Sequence, residues 1–240
     1  MIHLRALLVT ATLGLAATGI ALAADKTPPV NKAAAEKPVV DPNPPEGAKL
    51  DDSHKPVGQG WISLFNGKDL TGWKAQSEYW KVEDGVLHGF TPGNKEHHYA
   101  YTEKSDYDDF ELHADVKLIG YNSGVCIRIA PTNFDNVPGY QVDMGDGYWG
   151  SLWDERGAGM VAQYPKEQAN QILHKNDWNH YYVIAQRHHI QMWLNGVKTV
   201  DVTDPNGKLT GPIGFQLCHA GKTDCSFKNI YLRPLKPTQK

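Results

Sequence analysis

The chain is poor in the residues that mark several large enzyme classes. Its 240 residues include only three cysteines, Cys126, Cys218 and Cys225. No two of them form a Cys-x-x-Cys pair, so neither a disulfide-dense scaffold nor a thioredoxin-type redox motif is encoded. There is no Gly-x-Ser-x-Gly elbow, no phosphate-binding P-loop and no His-Glu-x-x-His, which sets aside the chemistries those motifs carry. A surplus of one charge sign is also missing. Twenty-four Lys and Arg face 27 Asp and Glu, for a net charge of −3, which leaves no broad footprint for nucleic acid or an anionic membrane. Beyond residue 23 no apolar run approaches the roughly 20 residues of a membrane span.

The chain is rich in aromatics and turn formers: 7 Trp and 11 Tyr beside 23 Gly and 15 Pro. That mixture suits β-structure joined by tight loops, with aromatic surface fit for a sugar or a peptide. Met1–Arg5 carries a positive charge, residues 6–21 are mildly apolar, and Ala21-Leu22-Ala23 offers small residues for cleavage. Residues 1–23 therefore read as a signal peptide, and the expected location is periplasmic or extracellular. Residues 24–57 hold Pro, Ala, Lys, Asp and Glu without hydrophobic period, which predicts a disordered, extended linker. The remainder, residues 58–236, is the size of one domain.

Within that domain the hydrophobic period is two almost everywhere. Phe110, Leu112, Ala114, Val116 and Leu118 share one face, and Glu111, His113, Asp115 and Lys117 share the other. Val125, Ile127 and Ile129 likewise leave Cys126 and Arg128 opposite. Glu83-Asp84-Gly85, Arg187-His188-His189 and Asn195-Gly196 each sit between apolar runs as hairpin turns. Ten or more short strands of this kind predict an all-β sandwich or jelly roll, with one short helical piece near Lys166–Leu173.

Candidate chemistry concentrates in residues 138–156. Strand alternation puts Gln141 and Asp143 on one face, and Arg128 joins them if its strand is adjacent. A guanidinium, an amide and a carboxylate would then form a site, or a structural ion pair on a solvated face. Asp146, Asp154, Glu155 and Arg156 extend the group into a Gly-rich loop where Tyr148, Trp149 and Trp153 can stack on a sugar ring. Of the 11 histidines, the pairs His97-His98 and His188-His189 read as surface turn residues. His219 follows a strand and can serve as an acid or base near neutral pH. Cys218 and Cys225 flank a turn and can bridge a hairpin in an oxidising compartment. No cofactor is certain, and a divalent metal on the polar face is possible chemistry whose ligands the spacing does not name.

Several segments together resemble the 3-keto-disaccharide hydrolase family. They are Gly60-Trp-Ile-Ser-Leu-Phe-Asn-Gly-Lys-Asp-Leu-Thr-Gly-Trp73, Trp80-Lys-Val-Glu-Asp-Gly-Val-Leu87, Tyr121-Asn-Ser-Gly-Val-Cys-Ile-Arg128, Gly139-Tyr-Gln-Val-Asp143 and Gly211-Pro-Ile-Gly-Phe-Gln216. The resemblance implies a concanavalin-like jelly roll of two antiparallel sheets. It also implies an exported enzyme acting on a small 3-keto-glycoside, with Gln216 among its binding residues. Two departures stand out. Many members carry Glu and Gln where this chain has Gln141 and Asp143, and the family's Gln-x-His appears here as Gln216-Leu-Cys218-His219.

An amide at position 141 disfavours a retaining glycosidase built on two strand carboxylates. A 3-keto sugar needs no nucleophile, because its carbonyl acidifies the C2 hydrogen. The expected roles are Arg128 on the carbonyl or enolate oxygen and Asp143 or His219 as base. Asp154 or Glu155 would bind hydroxyls or protonate the leaving group. The alternatives are a non-catalytic carbohydrate-binding module and an adhesion module with protein partners.

Overall fold

The alternating pattern folds as it reads. The computed structural model describes residues 37–93 and 95–236, so the expected signal peptide and residues 24–36 of the expected linker lie outside the described residues. Strands β1 to β8 are Ile62–Ser63, Trp73–Lys74, Trp80–Glu83, Val86–Thr91, His98–Thr102, Phe110–Gly120, Asn122–Ile127 and Gly139–Gly145. Next come β9 (Leu152–Glu155), β10 (Gly159–Ala162) and helix α1 (Lys166–Ile172). Strands β11 to β15 follow as Asn179–Gln186, His189–Leu194, Val197–Thr203, Gly214–Leu217 and Thr223–Pro234. One sheet runs β13-β12-β11-β6-β15-β4-β3, with β1 also on β15, and the other runs β10-β9-β8-β7-β14-β5-β2. Consecutive hairpins close through left-handed turn residues, Asp84 (φ 50°) with Gly85 (φ 77°) and Asn195 (φ 49°) with Gly196 (φ 81°). Two positive φ values in a two-residue loop match the twist of the flanking strands.

The inner faces of the two sheets meet in one core. Phe110, Leu112, Ala114, Val116 and Leu118 of β6 face Val125, Ile127, Val142, Met144 and Phe215 of the other sheet. Phe215 and Phe227 stack across the interface with ring centroids 3.9 Å apart. This is the jelly-roll sandwich expected from the alternation.

Three expectations are corrected. The first concerns the linker, because residues 41–57 are packed rather than disordered. Asp41 N–H donates to the Gly196 carbonyl at 3.0 Å, and Trp193 Nε1 donates to Asp41 Oδ2 at 2.9 Å. Glu46–Ala48 form a helical turn, and Leu50 bridges Pro56. The segment crosses the outer face of the β6–β11 sheet, so Glu111, His113 and Asp115 are buried instead of solvated. It is held through backbone groups, the Asp41 carboxylate and a glycine, which carry no hydrophobic period. A Cβ at Gly47 would collide with Glu111 Oε1.

The second correction is Arg128. Its φ of 50° ends the alternation of β7, so Ile129 joins a small outer cluster with Tyr99, Cys126 and Val137. The guanidinium turns into the sandwich and loses all contact with water. The third is the disulfide, since all three cysteines are free. Cys225 points into the core from β15, whereas Cys218 follows β14 in the other sheet.

Candidate active site

The outer face of the β9-β8-β7-β14-β5 strands carries the polar residues that alternation excludes from the core. Register sets Tyr99, Gln216, Gly124 and Asp143 side by side across four strands, with Cys126, Gln141 and Trp153 in the next row. Gly124 makes room at the centre, because a Cβ there would collide with Gln141 Cγ. The result is a cleft of about 260 Å³ lined by His97, Tyr121, Asn122, Gln141, Asp143, Tyr148, Trp153, Glu155, Arg156, Gln216, Cys218 and His219. Small-ligand sites commonly fall at ~300–1,000 Å³, so the volume suits one sugar ring better than an extended chain.

Asp143 sits at the cleft floor, 4% exposed. Its Oδ1 accepts from Asn122 Nδ2 at 2.8 Å and, more weakly, from Gln141 Nε2 at 3.4 Å. Both of these side-chain bonds fall on one oxygen, and the Met144 backbone N–H also donates to the carboxylate. Burial outweighs these donors and pushes the carboxyl up to about 7, so the proton is held far more readily than on an ordinary aspartate. Glu155 is also raised by burial, but Arg156 opposes the shift, with Nε 3.5 Å from Glu155 Oε1. Two carboxyl groups in one cleft thus have different environments, the pattern that separates an acid from a base.

Histidine lines another wall. His97 Nε2 and His219 Nδ1 are 2.9 Å apart, and Asp135 Oδ1 accepts the His97 backbone N–H at 2.7 Å. Burial, with the neighbouring His219 and Arg156, lowers His97 to about 4, which keeps its imidazole neutral at pH 7. Gln216 Nε2 donates to Tyr99 Oη at 2.6 Å, while Gln216 Oε1 is buried without a partner. A buried amide oxygen left unsatisfied inside a cleft is a ready acceptor for a ligand hydroxyl. Tyr148 and Trp153 meet edge to face, and Tyr148 and Tyr121 remain exposed at the rim.

Of the residues proposed from sequence, the cleft gathers Gln141, Asp143, Tyr148, Trp153, Glu155, Gln216 and His219. Four lie elsewhere. Arg128 donates to the carbonyls of Asp108, Arg187, Lys208 and Ala185 and to Asp109 Oδ1. It ties loops together at one end of the sandwich and has no free donor face for a substrate. Asp146 pairs with Lys166 at 2.6 Å. Trp149 is buried and stacks on Tyr181. Asp154 Oδ2 accepts from the Ala158 N–H at 2.9 Å, on the opposite strand face from its neighbours Trp153 and Glu155. The sequence reading missed His97, Tyr121 and Asn122. Asn122 was findable, because it alternates with Gly124 and Cys126 on the cleft face. His97 was not, since only the pairing of β5 with β14 brings it to His219.

Residues 60–233 match the family of 3-keto-alpha-glucoside-1,2-lyase-like domains. The chain belongs to that family. Membership covers the whole sandwich and gives this lyase-like domain a carbohydrate-related role. Two solved structures from Parabacteroides distasonis, both provisionally named glycosyl hydrolases, share the fold at TM-score 0.56. They are 23% and 24% identical to the chain, covering 74% of it and 94% and 100% of their own lengths. A Bacillus subtilis protein with a galectin-like fold aligns at TM-score 0.52 and 13% identity, over 72% of this chain and 94% of that one. No curated protein sequence matches. No helix among the described residues is long and apolar enough to cross a membrane.

Proposed function

We propose that the cleft cleaves 3-keto-glycosides by elimination across C1 and C2. The observation that carries this reading is the pair of carboxyl groups with split environments, buried Asp143 and half-buried Glu155, in a cleft of one-ring size. Glu155, paired with the Arg156 guanidinium, removes the C2 proton. The C–H electron pair becomes the C2–C3 enolate, whose oxygen charge is met by the Arg156 guanidinium, the cation that lines the cleft in place of Arg128. Re-formation of the C3 carbonyl expels the C1 oxygen, which takes the proton held on the Asp143 carboxyl. The products are the alcohol of the leaving group and an unsaturated 3-keto sugar. Addition of one water at C1 then gives net hydrolysis.

Burial raises Asp143 to about 7, whereas at Glu155 the Arg156 guanidinium opposes the rise, and this contrast favours the assignment over its reverse. A carboxyl held up by burial without a cation beside it keeps its proton more readily and is the natural acid. Asp143, a base in the sequence reading, becomes the acid for that reason. Tyr148 and Trp153 supply the apolar wall for the ring, and Gln216 Oε1 an acceptor for a hydroxyl. The leader-like residues 1–23 support placing this activity outside the cytoplasm.

Exposed Tyr121 and Tyr148 also suit a module that binds sugar without turning it over. One experiment separates the two readings. Purified protein is incubated with 3-keto-trehalose and with unoxidised trehalose, and products are followed by NMR. Cleavage of the keto sugar alone is expected. Turnover of both sugars, or of neither, contradicts the proposal.

A further inference from the structure

The Asp143–Glu155 chemistry leaves His97, Cys218 and His219 without a stated task, although all three line the cleft. One ligand atom from each lies within 4.8 Å of the other two. We propose that these residues form a three-ligand site for a soft divalent cation of the zinc class, with its fourth position open to the cleft.

The geometry is close to what such an ion requires. With Zn–N near 2.05 Å and Zn–S near 2.3 Å, tetrahedral angles put two nitrogens about 3.3 Å apart and nitrogen and sulfur about 3.6 Å apart. Here His97 Nε2 and His219 Nδ1 are 2.9 Å apart, and Cys218 Sγ is 4.0 Å from His219 Nδ1. Each differs by roughly 0.4 Å from the ideal, a side-chain adjustment rather than a backbone movement. The donor set is two imidazoles and a thiol. It selects zinc or cobalt over calcium or magnesium, which take oxygen ligands. Binding converts the Cys218 thiol to thiolate and releases one proton to solvent.

The surroundings of His97 leave its ligating nitrogen to this site. His97 is 7% exposed, and among the described residues its Nε2 meets only His219 Nδ1, the other proposed nitrogen ligand. The other histidine cluster, His54, Asp115 and His180, differs here. Its His180 nitrogens are taken by Asp115 and His113, and Asp115 Oδ2 by Asn229. That cluster closes on itself without an ion.

If the proposed function holds, the open fourth position takes the C3 oxygen and shares the enolate charge with Arg156. This last step rests on that reading, whereas the site itself does not. The test is cobalt(II) titration of the metal-stripped full chain, read by absorbance. One cobalt per chain is expected, with intense visible bands of tetrahedral geometry and a near-ultraviolet thiolate-to-cobalt band. Cys218→Ser should remove the thiolate band and weaken binding at least about 100-fold, and His54→Ala should change neither. Absence of stoichiometric binding to the wild-type chain, or binding without the thiolate band, overturns the site even if Cys218→Ser does not fold. Cobalt binding without keto-sugar turnover leaves the site standing and removes the function. Turnover that survives complete metal removal leaves the function standing and removes the metal's part in it.

Discussion

The two outer faces of the sandwich both carry buried histidines and carboxylates, yet they are finished differently. On the β6–β11 face, residues 41–57 lie across the cluster. His113 Nε2 reaches the Gly47 carbonyl at 2.7 Å, and His180 Nδ1 reaches Asp115 Oδ1 at 2.7 Å. Burial alone would raise Asp115, but hydrogen bonds from His180 and Asn229 outweigh it and hold the carboxyl below its usual range. On the β7–β8 face nothing described covers the cluster. Asp143 is raised to about 7, and Gln216 Oε1 and His97 Nδ1 have no partner among the described residues. The same residue types make a lock where every polar atom is answered and a reactive site where some are not.

The largest expected effect exploits that contrast at Asp143. Asp143→Asn should lower kcat/KM for a 3-keto-glycoside by about 10³-fold, within the range for loss of a positioned acid. The same change should stabilise the fold in alkaline solution. The folded pKa of about 7 lies above the ordinary 3.8, so the unfolded chain loses this proton first as pH rises. Stability from this group is therefore complete below about pH 4 and is lost as pH rises through about 7. Thermal melts at about pH 8, above the folded pKa, should show the Asp143→Asn variant more stable than wild type. A less stable variant would contradict the assignment.

Arg128→Met should act the opposite way. Removing a buried guanidinium that holds four backbone carbonyls should cost roughly 3–5 kcal/mol in urea unfolding, while the folded fraction keeps its kcat. A folded but inactive variant would return Arg128 to the chemistry. Asp115→Asn tests the covered face. Because this carboxylate is held ionised, losing it should destabilise by roughly 2–3 kcal/mol at neutral pH, opposite in sign to the Asp143 change. The smallest effect is expected for Tyr148→Ala, which removes stacking surface worth ~1 kcal/mol. KM should rise about fivefold with little change in kcat, and a larger loss in kcat would give Tyr148 a role in the reaction itself.

The fold was legible because alternation is a local signal. Val142 and Met144 go to the core and Gln141 and Asp143 to the cleft, as the period requires, and Asp84-Gly85 and Asn195-Gly196 turn where they should. Arg128 was misread because alternation presumes extended backbone, and a single left-handed residue sends the side chain to the other side. The covering segment was misread because its hold is made of backbone hydrogen bonds, the Asp41 carboxylate and the absence of a side chain at Gly47. His97 was out of reach for another reason: its partner His219 is 122 residues away, and only strand pairing joins them.

The central claim is that Asp143 and Glu155 carry elimination on a keto sugar, and isotope incorporation tests it most directly. The protein acts on 3-keto-trehalose in deuterium oxide, and the position of deuterium in the 3-keto-glucose released is read by NMR. Deuterium at C2 is predicted for wild type, with Glu155→Gln forming no labelled product. Release of 3-keto-glucose with hydrogen retained at C2 would mean that the bond breaks without C2 deprotonation, and would contradict the account.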